Sequence, residues 1–228
     1  MGAAIPLIQL SLGALLTATA LATWGNFRPR PVTGRAVRII QWVTAVCLLG
    51  ATLLLLTVDR GSGKPSPILT LMAAVATLPS WRPFKRTPWR TAVRILPAMI
   101  LTIGSLLVEP DDTVPALCGA MMHAALAACG GLAARIAGDA LGTLVRPAAR
   151  PDRTLAALLI LLTLVVGLDA LITLGQRGIA WPEPAAARAL LASTWLLWIA
   201  VRILPDRQPR LRAALSIGAS LLLVTAAL

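Results

Sequence analysis

Hydrophobic residues come in long runs rather than in the alternation that marks a half-buried surface element. Apolar runs of about 20 residues recur down the chain, and as helices they are long enough to cross a hydrocarbon core roughly 30 Å thick. Eight are readable: residues 4–24, 39–58, 67–81, 92–108, 114–134, 155–174, 185–204 and 213–228. They predict an all-α integral membrane protein, one polytopic domain over residues 1–228, with about eight transmembrane helices in four hairpins. The third run is the shortest, with about 14 apolar residues against the roughly 17–25 of a usual span. It is read as a short, upright crossing, because a re-entrant half-helix would put the basic segment that follows on the wrong side.

Charge sorts by connection and sets the orientation. The connections after runs 1, 3, 5 and 7, together with Arg94 and Arg202 at the adjoining ends of runs 4 and 7, hold seventeen basic residues and three acids, Asp139, Asp152 and Asp206. The rest of the chain holds Arg60, Lys64, Arg177 and Arg188 against six acids, Asp59, Glu109, Asp111, Asp112, Asp169 and Glu183. Cytoplasmic loops carry the excess of Lys and Arg. Both termini are therefore expected outside, with Arg35, Arg38, Arg82, Lys85, Arg86, Arg90, Arg94 and Arg202 on a cytoplasmic basic face. The first basic residue, Arg28, follows the first run, whereas a secretory signal carries its positive charge ahead. That run is expected to stay as a span.

Composition agrees. Of the 228 residues 57% are hydrophobic and only 13% charged, against roughly 25% charged in a soluble domain. Mean hydropathy is +0.81. A net charge of +12 would point to nucleic acid in a soluble protein. Here topology accounts for it, and the aromatic-plus-basic stretches that stack bases are missing. Only Lys64 and Lys85 are lysines and Tyr is absent, an Ala-, Leu- and Arg-rich bias expected of a bacterial, high-GC source. The expected location is the inner (cytoplasmic) membrane.

Short segments recur. Trp24 and Phe27 precede Arg28 as Trp81 and Phe84 precede Lys85. The hexapeptide from Ala92 to Pro97 returns unchanged from Ala200 to Pro205. Two-helix repeats near residues 1–60, 61–113, 114–176 and 177–228 would produce this, and so would interface residues constrained in any string of hairpins.

Intramembrane polar groups are costly and are candidates for function. His123 falls inside run 5, between Met122 and Ala124, and Asp169 near the outer end of run 6. One His and one Asp are too few for a proton relay without a third group. The plainer readings are a hydrogen-bonded, neutral His123 and an Asp169 that reaches the headgroups. Cys118, Met122 and Cys129 share a face of run 5, but three helical turns separate the thiols, so no metal and no cofactor is expected. Gly119, Gly130 and Gly131 make run 5 a candidate for close helix packing. Residues 133–146 read as mildly amphipathic if helical, with Ala133, Ile136, Ala137, Ala140, Leu141 and Leu144 on one side and Arg135, Asp139 and Arg146 on the other, either a cytoplasmic continuation of run 5 or a segment on the membrane surface.

No nucleophile elbow, zinc-protease motif or P-loop appears. The polar content is scattered: Thr44, Thr70, Thr102, Ser105, Ser193, Thr194, Gln9 and Gln41. A solute permease needs polar groups that converge at mid-membrane. The expected function is a non-catalytic accessory subunit or scaffold that packs against the lipid bilayer and other membrane proteins or a second copy. The alternative is a small permease or channel for an ion or small solute.

Overall fold

Prolines decide where the helices begin and end. In a computed structural model, residues 3–27, 31–58, 65–79, 88–107, 117–145, 152–175, 185–205 and 208–227 are described. They form eight helices and no other regular element: α1 (Ala4–Phe27), α2 (Pro31–Thr57), α3 (Pro67–Thr77), α4 (Pro88–Leu107), α5 (Leu117–Val145), α6 (Asp152–Gly175), α7 (Ala185–Ile203) and α8 (Pro209–Ala227). Four of these, α2, α3, α4 and α8, open on a proline. A ring nitrogen has no N–H to leave unsatisfied there, and its fixed φ suits the first helical position. Proline also stops helices, by disfavouring the helical conformation in the residue before it. Pro29, Pro79, Pro147 and Pro205 each follow the end of an odd-numbered helix within two residues.

Several helices therefore start earlier than their apolar runs. α2 begins eight residues ahead of Ile39 and α4 four ahead of Ala92, so Arg35, Arg38, Arg90 and Arg94 lie within helices and not in connections. α5 runs on to Val145, because nothing between Ala134 and Val145 breaks it. α3 stops at Thr77, four residues short of the apolar run, with Leu78 as its C-cap and Pro79 behind it.

Four helices contain stretches long and apolar enough to cross a membrane: Ala4–Gly25, Thr33–Thr57, Met122–Leu144 and Pro209–Ala226. The apolar stretches Pro67–Thr77, Thr91–Leu107, Thr154–Ala170 and Ala189–Ile203 are shorter.

The helices form two rings in chain order. α1 packs on α2 and α4, and α3 closes the ring between α2 and α4. In the second half α5 packs on α6 and α8, and α7 lies between them. α5 also packs on α3 and α4, which joins the rings. The main core follows that seam, from Leu15, Leu48 and Met72 through Cys129 and Ala133 to Trp198 and Leu223. A smaller cluster of Ala4, Ile8, Ala51 and Leu55 ties the far end of α1 to α2.

α3 and α5 are the central elements. Seven of the eleven residues of α3 are buried. The Ser66 N–H donates to the Ser105 carbonyl of α4 at 2.8 Å, so α3 starts beside the end of α4 and runs antiparallel to it. The Ser66 hydroxyl accepts from the Leu69 N–H and caps the helix start. Every residue of α5 from Cys129 to Ala140 is buried or half-buried. Residues 133–145 continue α5, and both sides of this continuation are covered: Arg135 is buried as well as Ala133, Ile136 and Ala137. Neighbours cover both sides because α5 sits between α3, α4 and α8.

Candidate functional site

Close helix contacts lie where α5 crosses α3 and α4. A Cβ on Gly131 would fall 2.6 Å from the Met72 carbonyl oxygen and from Val75 Cβ. On Gly138 it would fall 2.9 Å from Cα and O of Arg94. These two glycines are seven residues apart, two helical turns, and so share a face. Gly130 meets only the flexible end of Met72, at 2.9 Å. Gly119 lies in the first turn of α5, and its surroundings fall outside the described residues.

That same crossing gathers charge. Arg94 Nε lies 3.8 Å from Asp139 Oδ1, with side chains only 9% and 13% exposed. Arg135, four residues beyond Gly131, is also buried, and its Nη2 donates to the Pro79 carbonyl at 3.3 Å, just past the end of α3. Carbonyls at a helix C-terminus carry partial negative charge and lack partners within the helix, so a guanidinium there satisfies both needs. The device recurs in the other ring. Arg212 of α8 donates from Nε to the Val201 carbonyl at 3.0 Å and from Nη2 to the Arg202 carbonyl at 3.2 Å, at the end of α7.

The arginines of the expected basic face thus divide. Arg35 and Arg202 are exposed and Arg38 is half-buried, whereas Arg94 is enclosed. Arg90 lies in the first turn of α4 with its side chain outside the description, and Arg82, Lys85 and Arg86 fall outside the described residues. The buried trio Arg94, Arg135 and Asp139 had no signal in hydropathy.

His123 on α5 and Asp169 on α6 are each half-buried. α5 and α6 pack as an antiparallel pair joined by a short connection. His123 is six residues from the start of α5 and Asp169 six from the end of α6, so both lie toward the same end of the pair. Cys129 is buried and Cys47 half-buried, on different helices.

The buried hydroxyls turn inward on their own helices. Ser11, Thr44, Thr52, Thr70, Thr77 and Thr102 each donate to the carbonyl four residues back, at 2.7–2.9 Å. Ser105 donates to the Thr102 carbonyl at 2.8 Å. Ser220 of α8 is within 2.8 Å of the Ala133 carbonyl, a polar tie between α8 and α5. Trp195 of α7 donates its indole N–H to Thr163 of α6 at 2.9 Å. Trp198 is fully buried, and its indole N–H has no hydrogen-bond partner among the described residues.

Neither a protein-family model, nor a curated protein, nor a solved structure matches this chain.

Proposed function

We propose that this is a multi-pass protein of the bacterial inner membrane, with eight crossings, both termini outside and the arginine-rich helix ends in the cytoplasm. Support comes from the outward surface. Leu10, Leu16, Ile39, Val46, Leu53, Ile100, Ile160, Leu164 and Leu221 are 53–67% exposed. So many exposed large apolar side chains, spread over five helices, suit a lipid surround. The C-terminal ends of α3 and α7, each met by an arginine from a neighbouring helix, fit the same orientation, because cations favour helix C-termini.

Within the membrane the protein acts as a non-catalytic accessory subunit or scaffold that packs against other membrane proteins or lipid. One observation carries this reading. The buried hydroxyls of α1 to α4 commit their protons to carbonyls of their own helices, whereas a permease presents such groups to a solute. The glycine contacts of α5 with α3 and α4 add rigidity at the centre.

The test is purification in mild detergent with identification of co-purifying chains, followed by reconstitution. A stoichiometric membrane partner, and vesicles no more permeable than empty ones, is the expected result. A lone oligomer that gives selective solute flux overturns the scaffold.

A further inference from the structure

We propose that copies of this chain associate head to tail in the membrane, with α1 of one copy packed on α7 and α8 of the next. This rests on the membrane reading above. The two rings repeat each other. α1 ends at Phe27 and α5 at Val145, α2 ends at Thr57 and α6 at Gly175, and α3 begins at Pro67 and α7 at Ala185, each pair 118 residues apart. At that spacing Gly13 returns as Gly131 and Arg28-Pro29 as Arg146-Pro147. Burial repeats as well: Ile8, Ser11, Leu15 and Ala18 of α1 are buried, and so are Leu126, Cys129, Ala133 and Ile136 of α5. Neighbours correspond too, since α1 packs on α2 and α4 as α5 packs on α6 and α8.

One packing relation has no counterpart within a single copy. α5 also packs on α3 and α4 of the ring before it, through Gly131 and Gly138. The corresponding positions of α1 are Gly13 and Ala20, small, on one line of the helix and both exposed. A Cβ on Gly13 would meet nothing within 4 Å. The receiving face is equally open. Val75 of α3 meets Gly131, and its counterpart on α7 is Ser193. Leu71 and Leu78, on the same side of α3, correspond to Ala189 and Leu196. Ala189, Ser193 and Leu196 are all exposed, as are Leu211 and Ala214 of α8. A second copy therefore supplies the partner that each face lacks: an α1 built like α5, and an α7–α8 face in the place of α3 and α4. Small residues on both sides permit the close approach that drives helix association in lipid. Charge agrees. Arg135 of α5 serves the end of α3, but α1 has no charged residue. It needs none, because Arg212 already meets the last carbonyls of α7. The contact joins two different faces, so it is heterologous.

The test uses two differently tagged full-length chains made together, both with Cys47, Cys118 and Cys129 replaced by alanine. One carries Gly13→Cys and the other Ser193→Cys. Oxidation of isolated membranes should join the two tags in one product. Two chains with Gly13→Cys, or Ser193→Cys with Ile100→Cys on the open line of α4, should give about tenfold less, since a disulfide needs close Cβ atoms. In mild detergent, Gly13→Trp with Ala20→Trp should raise the dissociation constant of the assembly about tenfold or more. The same pair should leave the unfolding midpoint of the single copy unchanged, because both sites are open there. The proposal is overturned if no product joins the two tags, if two chains with Gly13→Cys link as strongly, or if the Trp pair associates as the wild type does. Failure of the membrane reading is seen separately: alkaline washing would then release the chain from membranes.

Discussion

At the scale of single residues, the centre of the molecule depends on the absence of side chains at two positions and on compensated charge beside them. Gly131 and Gly138 face backbone atoms of α3 and α4, which cannot swing aside. Gly131→Ala and Gly138→Ala should each destabilise by about 1–3 kcal/mol, the usual cost of overpacking. Gly13 meets nothing within 4 Å, so Gly13→Ala should be neutral or gain up to about 1 kcal/mol from helix propensity. Denaturant unfolding in mixed micelles checks all three; equal effects at Gly13 and Gly138 would refute the close approach. The Arg94–Asp139 pair behaves differently. Breaking an enclosed ion pair by removing one member typically costs about 3–5 kcal/mol, whereas replacing both with apolar residues is often near neutral. Asp139→Asn should therefore be worse than Asp139→Leu combined with Arg94→Met, and the reverse order in the same unfolding assay would rule out charge compensation.

At the scale of elements, α3 is the unusual one. Eleven residues rise about 16 Å, too little to cross a hydrocarbon core alone. Extended residues and a cap flank it at each end. Ser66 caps the start and the Arg135 guanidinium meets the carbonyl just past the end. Ser66→Ala should lower stability by about 1 kcal/mol, the typical loss of an N-cap, and should raise amide exchange at the start of α3 before other helices open. Unchanged exchange there would show that the Ser105 carbonyl alone holds the helix start.

Most of this element structure was legible. Eight apolar runs became eight helices, because long uncharged runs have few other ways to satisfy their backbone. The helix starts were not read from hydropathy. Pro31 and Pro88 set them, and Arg35 and Arg38 within the first two turns of α2, like Arg90 and Arg94 within those of α4, keep these helix starts from registering as apolar. The shortness of α3 was visible, and its stop was written in Pro79. The burial of Arg94, Arg135 and Asp139 was not legible. It depends on which helices surround α5, and a single helix's periodicity carries no information about a neighbour on its polar side. For the same reason His123 and Asp169 were identifiable as unusual without any sign of what they touch.

At the scale of the whole molecule, α5 joins two sequential rings, and the helix ends that carry arginine fall together. α3 and α7 end at this face and α4 and α8 begin there, which follows from the antiparallel course of α3 and α4 and from the Arg212 bonds between α7 and α8. The identical hexapeptide near the start of α4 and at the end of α7 fits this geometry, since both copies lie at the arginine-rich face while their helices run in opposite directions. The central claim is that this face is cytoplasmic and that the chain crosses the membrane back and forth between it and the acidic side. The most direct measurement is labelling of single cysteines in intact cells with a membrane-impermeant thiol reagent, in a chain whose Cys47, Cys118 and Cys129 have been replaced by alanine. A cysteine at Ser62 should be labelled and one at Thr87 should react only after the cells are opened; labelling at Thr87 with protection at Ser62, or labelling of both in intact cells, would contradict the account.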